Sequence, residues 1–251
     1  MMPAMSDDRS TSLQRVLGSL RKAPPKPLHR PEPPVLMVQV GAWRTVGTAV
    51  MVVLGAVGLA APATAAPPPA PGIEVDDDNG SCTAGFAAQG DDGSYYVLTS
   101  GHCDAGDGSE WTYGQDNALG QISASVDDGD QMDAAIIRLD PGTPAPAGGV
   151  GGYQIRNVLG PGQLAKGMPF CKIGAVTGET CGTINDIDGN VVEAGVFSLE
   201  GDSGSPGFVK NPDGTVSAVG ILTSSPENDD YTTYFIMVQP VLAQWGLRIL
   251  P

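Results

Sequence analysis

The sequence is poor in aromatic residues, in positive charge and in long apolar runs. Aromatic residues make up only 6% of the 251 positions, whereas there are 35 glycines and 22 prolines. This composition disfavours a helical bundle and favours short strands joined by turns. The chain is nevertheless long enough to bury a sizeable hydrophobic core.

Lysine and arginine are scarce, and more than half of them lie in the first 65 residues. That segment holds seven of the 13 basic residues and three of the 28 acidic ones, so residues 66–251 carry a formal charge of about −19. A surface this acidic repels nucleic acids and anionic lipids. The charge balance therefore excludes nucleic-acid binding as a function.

The one long apolar run, residues 46–60, has the features of a secretory signal. It follows an arginine, contains no charge and precedes small residues at 63–65, where a signal peptidase would cleave. Its 15 residues fall short of the roughly 20 that a membrane-spanning helix needs, which argues against a retained anchor. We interpret residues 1–65 as a leader and signal peptide, with Met37 rather than Met1 as the predicted start. No stable membrane span is expected after cleavage.

Cysteine and histidine are also rare. There are four cysteines, no CxxC pair and a single histidine after residue 65. An even number of cysteines in an exported chain is typical of disulfides, with three pairings open from the sequence alone. The lack of paired cysteines and of further histidines argues against a zinc site. We therefore predict two disulfides among four residues, and neither a metal nor an organic cofactor: Cys82, Cys103, Cys171 and Cys181.

Short apolar segments separated by turn signals fill the remainder of the chain. After an extended arm at 66–80, candidate strands run from residue 82 to residue 238, with clusters of Gly, Asn, Asp and Pro between them. Only residues 239–247 have helical spacing. The pattern predicts an all-β barrel or sandwich with a short C-terminal helix.

One short stretch, Gly201–Pro206, has the composition of a nucleophile loop. A serine hydroxyl attacks a carbonyl only when a base accepts its proton, and the resulting oxyanion needs backbone N–H donors nearby. The glycines beside Ser203 allow a tight backbone that directs the N–H groups of Gly201 and Ser203 to one point. A surface turn is the alternative interpretation, because Gly, Asp and Ser are turn residues in any case.

His102 is the only histidine after residue 65 and so the only candidate imidazole base. It follows the apolar segment 95–98, where a strand gives way to a loop, and its small neighbours do not explain it as a packed core residue. The third group of such a site is a carboxylate that holds the imidazole in one tautomer. Asp133 fits best because it directly precedes an apolar strand, whereas the other aspartates nearby, at 127–130, lie in a polar run.

Together these segments resemble the chymotrypsin superfamily of serine proteases. The order histidine, aspartate, serine occurs in TSGHC (99–103), DAAIIRL (133–139) and GDSGSP (201–206). A fourth segment, CKIGAVTGETCG (171–182), resembles a hairpin of the short bacterial streptogrisin and α-lytic protease branch. The likeness runs from about Ser81 to Leu247.

The resemblance implies a fold and a set of residue roles. The fold is all-β, with two six-stranded antiparallel Greek-key barrels of the trypsin-like type and a short C-terminal helix. We expect the barrels at 81–148 and 149–251, with the site in the cleft between them. The implied roles are a triad of His102, Asp133 and Ser203, an oxyanion hole of Gly201 and Ser203, disulfides Cys82–Cys103 and Cys171–Cys181, and a buried ion pair of Lys172 with Asp202.

The predicted substrate-binding segments depart from the family pattern. The stretch 223–226 reads TSSP where the family usually has Ser-Gly-Gly, and Pro226 has no N–H to offer a substrate backbone. No acidic residue stands at the expected base of the side-chain pocket, so we expect a preference for small or medium apolar side chains rather than Lys or Arg. The residues expected at this subsite are Phe197, Ser198, Glu200, Ser224, Ser225 and Pro226.

These features predict a secreted serine endopeptidase, extracellular or in the cell envelope, that acts as a monomer on protein or peptide substrates. Two alternatives stay open because the triad is complete while the substrate strand is altered. One is a protease-like scaffold with impaired peptide binding that acts as a binding protein. The other is an esterase acting on small substrates.

Overall fold

The computed structural model describes residues 66–129 and 131–251. The predicted signal peptide, the predicted start at Met37 and Asp130 lie outside these residues. None of the helices in the described ranges has the length and apolar character needed to cross a membrane.

In the described part of the chain, nearly all regular structure is β-strand. Clusters of Gly, Asp, Asn and Pro interrupt the apolar segments every few residues, so the strands stay short, as the pattern predicts. In chain order the elements are β1 (Glu74–Asp76), β2 (Ser81–Thr83), β3 (Ala87–Gly90), β4 (Tyr95–Thr99), β5 (Glu110–Tyr113), β6 (Asn117–Asp127), β7 (Asp133–Leu139), β8 (Ile155–Val158), β9 (Pro169–Gly174), β10 (Gly178–Asp188), β11 (Val191–Ala194), β12 (Pro206–Lys210), β13 (Val216–Ser224), β14 (Thr233–Met237), α1 (Val238–Trp245) and β15 (Leu247–Ile249).

The first sheet is a curled antiparallel sheet of eight strands in the order β15-β3-β4-β7-β6-β5-β1-β2. Because β15 pairs with β3, the proposed second barrel, residues 149–251, contributes its last strand to this sheet. The register of β4 and β7 pairs Thr99 with Ala135. The C-terminal end of β4 and the N-terminal end of β7 therefore lie side by side, and His102, in the turn after β4, meets Asp133, the first residue of β7, there.

The second sheet closes into a barrel. Six antiparallel strands follow the order β12-β9-β10-β11-β14-β13, and the pairing of β12 with β13 closes the ring. A seventh strand, β8, joins β13 in parallel. The predicted trypsin-like double-barrel fold is thus confirmed, with the C-terminal barrel closed and the N-terminal half a curled sheet whose edge strands are β15 and β2.

The largest apolar cluster spans the two sheets. It includes Phe86, which directly precedes β3, Leu98 from β4, and Phe208 and Ile221 from the second sheet, all 0% exposed. Burial of an apolar side chain of this size contributes about 1.5–3 kcal/mol. This shared core fixes the two sheets, and the loops at their junction, relative to each other.

Two disulfides and a short helix complete the fold. The disulfides join Cys82 to Cys103 and Cys171 to Cys181, the pairing that the resemblance implies. They close 21 and 10 residues respectively, for which the chain-entropy model gives about 3 kcal/mol each. Helix α1 ends at Trp245 and is capped by Gly246, whose φ of +62° is a left-handed conformation that favours glycine.

Candidate active site

His102 lies in a short 3₁₀ turn that directly follows β4. Its ring Nδ1 is 2.8 Å from Oδ2 of Asp133, and its backbone N–H donates to Oδ1 of the same carboxylate at 2.8 Å. Asp133, the first residue of β7, is buried. Because the carboxylate accepts from Nδ1–H, the imidazole is held in the tautomer that leaves Nε2 as its proton acceptor.

The turn needs glycine at position 101 to bring His102 to this carboxylate. A Cβ added at Gly101 would lie 2.1 Å from the carbonyl oxygen of Val126, in β6. Any larger residue would therefore push the turn away from the neighbouring strand. Gly101 is therefore required for the close approach of the His102 turn to β6.

Thr223, near the end of β13, provides a second donor to Asp133. Its hydroxyl donates to Oδ2 of the carboxylate. Burial alone would raise the pKa of Asp133, but the hydrogen bonds from His102 and Thr223 hold that pKa below its ordinary value. Asp133 is therefore ionised at neutral pH and stabilises a positive charge on His102. Thr223 stands at the start of the predicted substrate-binding stretch 223–226, but its contact with Asp133, from which 90 positions separate it, was not predicted from the sequence.

Ser203 lies in the loop that precedes β12 and is partly exposed. The next residue, Gly204, donates its N–H to the carbonyl of Leu222 at 2.8 Å. Gly204 has a φ of +92°, and a Cβ added to it would lie 2.3 Å from Oγ1 of Thr99 and 3.3 Å from the backbone nitrogen of Ser100. The Ser203 loop thus packs directly against the residues that precede His102.

The predicted oxyanion donors, the N–H groups of Gly201 and Ser203, have no acceptor among the described residues. Gly201 has a φ of +95°, and a Cβ added to it would lie 2.7 Å from Val176. The carbonyl of Asp202 accepts from both the N–H and the hydroxyl of Ser205, at 2.9 and 2.5 Å. Since the Asp202 carbonyl and the Ser203 N–H share one planar peptide, these bonds also fix the direction of the Ser203 N–H.

Asp202 and Lys172 form an ion pair in which Nζ is 2.9 Å from Oδ2 and both side chains are 0% exposed. The carboxylate also accepts from the N–H and hydroxyl of Thr177 and from the N–H of Leu199. Burial alone would raise the pKa of Asp202, but the hydrogen bonds from Lys172, Thr177 and Leu199 hold it below its ordinary value. The ionised Asp202 therefore links the residue before Ser203 to β9 and to the turn that follows it.

Two of the expected substrate-binding residues lie together in a cluster of hydroxyl groups. Ser198 is buried, and its Oγ is 2.9 Å from Oγ of Ser225 and 2.8 Å from Oγ1 of Thr233. Thr233 in turn donates to the carbonyl of Val196 at 2.8 Å. Thr233 is not among the predicted site residues, because it is separated from Ser198 by 35 positions and lies in no recognisable motif.

The other expected substrate-binding residues surround this cluster more loosely. Phe197 packs against Tyr231, with ring centroids 5.1 Å apart. Glu200 and Ser224 are exposed. The carbonyl of Pro226 accepts from the N–H of Asp229 at 3.2 Å, which closes a tight turn directly after the hydroxyl cluster.

Two groups of side chains in the described ranges have the proximity of metal ligands. One is Cys82, His102 and Cys103, and the other is Cys171, Glu179 and Cys181. In both groups the two cysteines form a disulfide. A disulfide provides no thiolate, which is the form in which cysteine binds metals.

Solved structures with the same fold belong to bacterial serine proteases. The Nocardiopsis protease (NAPase) matches with a TM-score of 0.60 and 26% identity, over 72% of this chain and 98% of that chain. The chymotrypsin of Cellulomonas bogoriensis matches with a TM-score of 0.57 and 25% identity, over 72% of this chain and 97% of that chain. The structural neighbours of this chain are thus chymotrypsin-like bacterial serine proteases, and the chain shares their fold.

Comparison of the sequence itself finds relatives in mycobacteria. The uncharacterized protein Rv1815 of Mycobacterium tuberculosis strain H37Rv is 32% identical over 182 residues, which cover 65% of this chain and 78% of the relative. The uncharacterized protein MT1863 of strain CDC 1551 is 31% identical over the same shares. No family model matches the chain.

Proposed function

We propose that the protein is a secreted serine endopeptidase that cleaves peptide bonds through Ser203, His102 and Asp133. The observation that carries the proposal is the buried Asp133 carboxylate, which accepts from both the ring and the backbone of His102 at 2.8 Å. The packing of the Ser203 loop against the residues before His102 supports the same conclusion.

In the proposed mechanism Ser203 Oγ attacks the carbonyl carbon of the scissile bond while His102 Nε2 accepts the hydroxyl proton. The oxyanion of the tetrahedral intermediate accepts hydrogen bonds from the N–H groups of Gly201 and Ser203. His102 then donates its proton to the leaving amine, which leaves an acyl-enzyme. A water molecule attacks the ester, again with His102 as base, and release of the acid regenerates Ser203.

The location and the substrate preference follow from separate features. Disulfides persist in oxidising compartments, so the pairs Cys82–Cys103 and Cys171–Cys181 support export to the cell envelope or beyond. The hydrogen-bonded hydroxyls of Ser198, Ser225 and Thr233 draw together the segment before Ser203, the end of β13 and the start of β14, and they carry no charge. This cluster supports a preference for small or medium uncharged side chains over Lys or Arg.

Pro226 favours a second candidate function. It lacks the N–H with which this strand would pair with an extended peptide, and its carbonyl is engaged by Asp229 at 3.2 Å. A weakened peptide site with an intact triad fits an esterase acting on small substrates. A protease-like binding protein fits only if the triad does not react.

The experiment that tests the proposal is labelling of the exported protein, residues 66–251, with a fluorophosphonate probe. Ser203→Ala and His102→Ala should abolish labelling, whereas Ser123→Ala, an exposed serine of β6, should leave it unchanged. Labelling together with cleavage of a peptide library supports the endopeptidase. Labelling with turnover of small esters alone supports the esterase, and no labelling of the folded, disulfide-bonded protein supports the binding protein.

A further inference from the structure

Thr83, the last residue of β2, is a buried polar residue with 0% exposure at the junction of the two sheets. It directly follows Cys82, whose disulfide partner Cys103 is next to His102. A buried threonine hydroxyl needs a hydrogen-bond partner inside the protein. Thr83 bonds to residues more than 90 positions away in the chain.

The Thr83 side chain and backbone both contact the nucleophile loop. Its hydroxyl donates to the carbonyl of Gly201 at 2.8 Å, and its N–H donates to the carbonyl of Ser203 at 2.7 Å. Thr83 thus holds two carbonyls that lie on either side of the Asp202–Ser203 peptide. That peptide carries the Ser203 N–H, one of the two proposed oxyanion donors.

Two further bonds connect Thr83 to the surroundings of the site. The N–H of Ala175, in the turn between β9 and β10, donates to the Thr83 hydroxyl at 3.1 Å. The hydroxyl of Thr99 donates to the Thr83 carbonyl at 3.0 Å. One residue therefore joins the nucleophile loop, the turn that surrounds Asp202 and the end of the strand that leads to His102.

We propose that Thr83 is a positioning residue for the reaction, which keeps the Ser203 N–H directed at the oxyanion. This inference rests on the proposed function of Ser203. Without the hydroxyl, the Gly201 carbonyl and the Ala175 N–H lose a buried partner. The Gly201–Asp202 peptide is then held only through its Asp202 N–H, which donates to the carbonyl of Leu199 at 3.0 Å, so it rotates more easily. Rotation there changes the direction of the following peptides, because each peptide unit is planar and only the dihedrals between units are soft.

The hydroxyl can be separated from the shape of the side chain. Thr83→Val keeps the β-branched shape and the backbone N–H bond to Ser203 but removes the hydroxyl. Thr83→Ser keeps the hydroxyl and removes only a methyl group. The matched control is Thr112→Val in β5, which removes a comparable hydroxyl that donates to the carboxylate of Asp76 at 2.8 Å, outside the nucleophile loop.

The measurements are kcat and KM on a small activated ester, the rate of fluorophosphonate labelling, and amide hydrogen exchange over residues 199–205. For Thr83→Val we expect kcat and the labelling rate to fall about 10- to 100-fold, less than the loss of a whole oxyanion donor, with KM within about twofold. Thr83→Ser should recover most of this loss, and Thr112→Val should retain wild-type values. Exchange over 199–205 should accelerate in Thr83→Val only.

The inference is overturned by a Thr83→Val protein whose kcat and labelling rate stay within about twofold of wild type, or by equal losses in Thr83→Val and Thr83→Ser. A loss that also appears in Thr112→Val would make the effect one of general stability and would equally refute it. If the wild-type protein itself does not label, the proposed function fails. Hydrogen exchange then decides the role of Thr83, because this measurement does not require an active protein. Unchanged exchange over 199–205 in Thr83→Val would refute the positioning role.

Discussion

Replacing Lys172 with methionine tests whether the buried ion pair stabilises the nucleophile loop. Methionine has a similar length but no charge, so Lys172→Met leaves the Asp202 carboxylate without its cation in a site where both side chains are 0% exposed. Removing one partner of a buried pair costs about 3–5 kcal/mol. Asp202 keeps its donors from Val176, Thr177 and Leu199, and we therefore expect the lower end of that range, about 3 kcal/mol.

The stability loss is measured by urea unfolding, followed by the fluorescence of Trp111 and Trp245. The matched control is the double variant Lys172→Met/Asp202→Asn, which buries no charge. Neutral replacement of a buried pair is often close to neutral in stability, so the double variant should unfold with a free energy within about 1.5 kcal/mol of wild type. The single variant should also label with the fluorophosphonate probe at least about tenfold more slowly, because a displaced Asp202 moves the Ser203 N–H.

The reasoning is refuted if Lys172→Met loses less than about 1 kcal/mol and labels at the wild-type rate. That outcome would mean that the pair contributes no more than a surface ion pair does. It would also mean that the hydrogen bonds from Val176, Thr177 and Leu199 are sufficient to hold Asp202.

Three further predictions concern the same loop and its supports. In Gly174→Ala the added Cβ would lie 2.1 Å from Oδ1 of Asp202 and 2.9 Å from Nζ of Lys172, so the free energy of unfolding should fall by about 1–3 kcal/mol; an unchanged urea midpoint would contradict this. The pKa of Asp202 is lower in the folded protein than its ordinary value of 3.8. The ionised carboxylate therefore contributes fully to the free energy of unfolding above the unfolded-state pKa, and this contribution is lost as the pH falls through the folded-state pKa. From about pH 6 to pH 2 the urea midpoint should therefore fall more steeply for wild type than for Lys172→Met/Asp202→Asn. If the midpoints of the two proteins fall equally over this range, the lowered pKa of Asp202 does not contribute to stability. Replacing Cys82 and Cys103 by alanine should cost about 3 kcal/mol and slow labelling, since the disulfide holds the turn that bears His102; labelling at the wild-type rate in the folded variant would show that the turn is held without it.

Local sequence patterns were enough to predict the fold class and the candidate residues of the site. Short apolar segments with turn signals between them predict an all-β protein whatever their pairing, because a strand and a turn each depend on a few adjacent residues. The candidates Ser203, His102 and Asp133 also stand in short motifs of their own. Their catalytic roles stay predictions, but selecting them required no knowledge of which strand lies beside which.

The contacts that surround these residues were decided only by the tertiary structure. Thr223 donates to a carboxylate 90 positions away, Thr83 to a carbonyl 118 positions away, and β15 leaves the C-terminal half to pair with β3. No periodicity or spacing predicts such pairs, because they depend on strand register and on how the two sheets share one core. The sequence by itself determined which groups are candidates for the reaction, whereas long-range pairing decided which groups hold them in place.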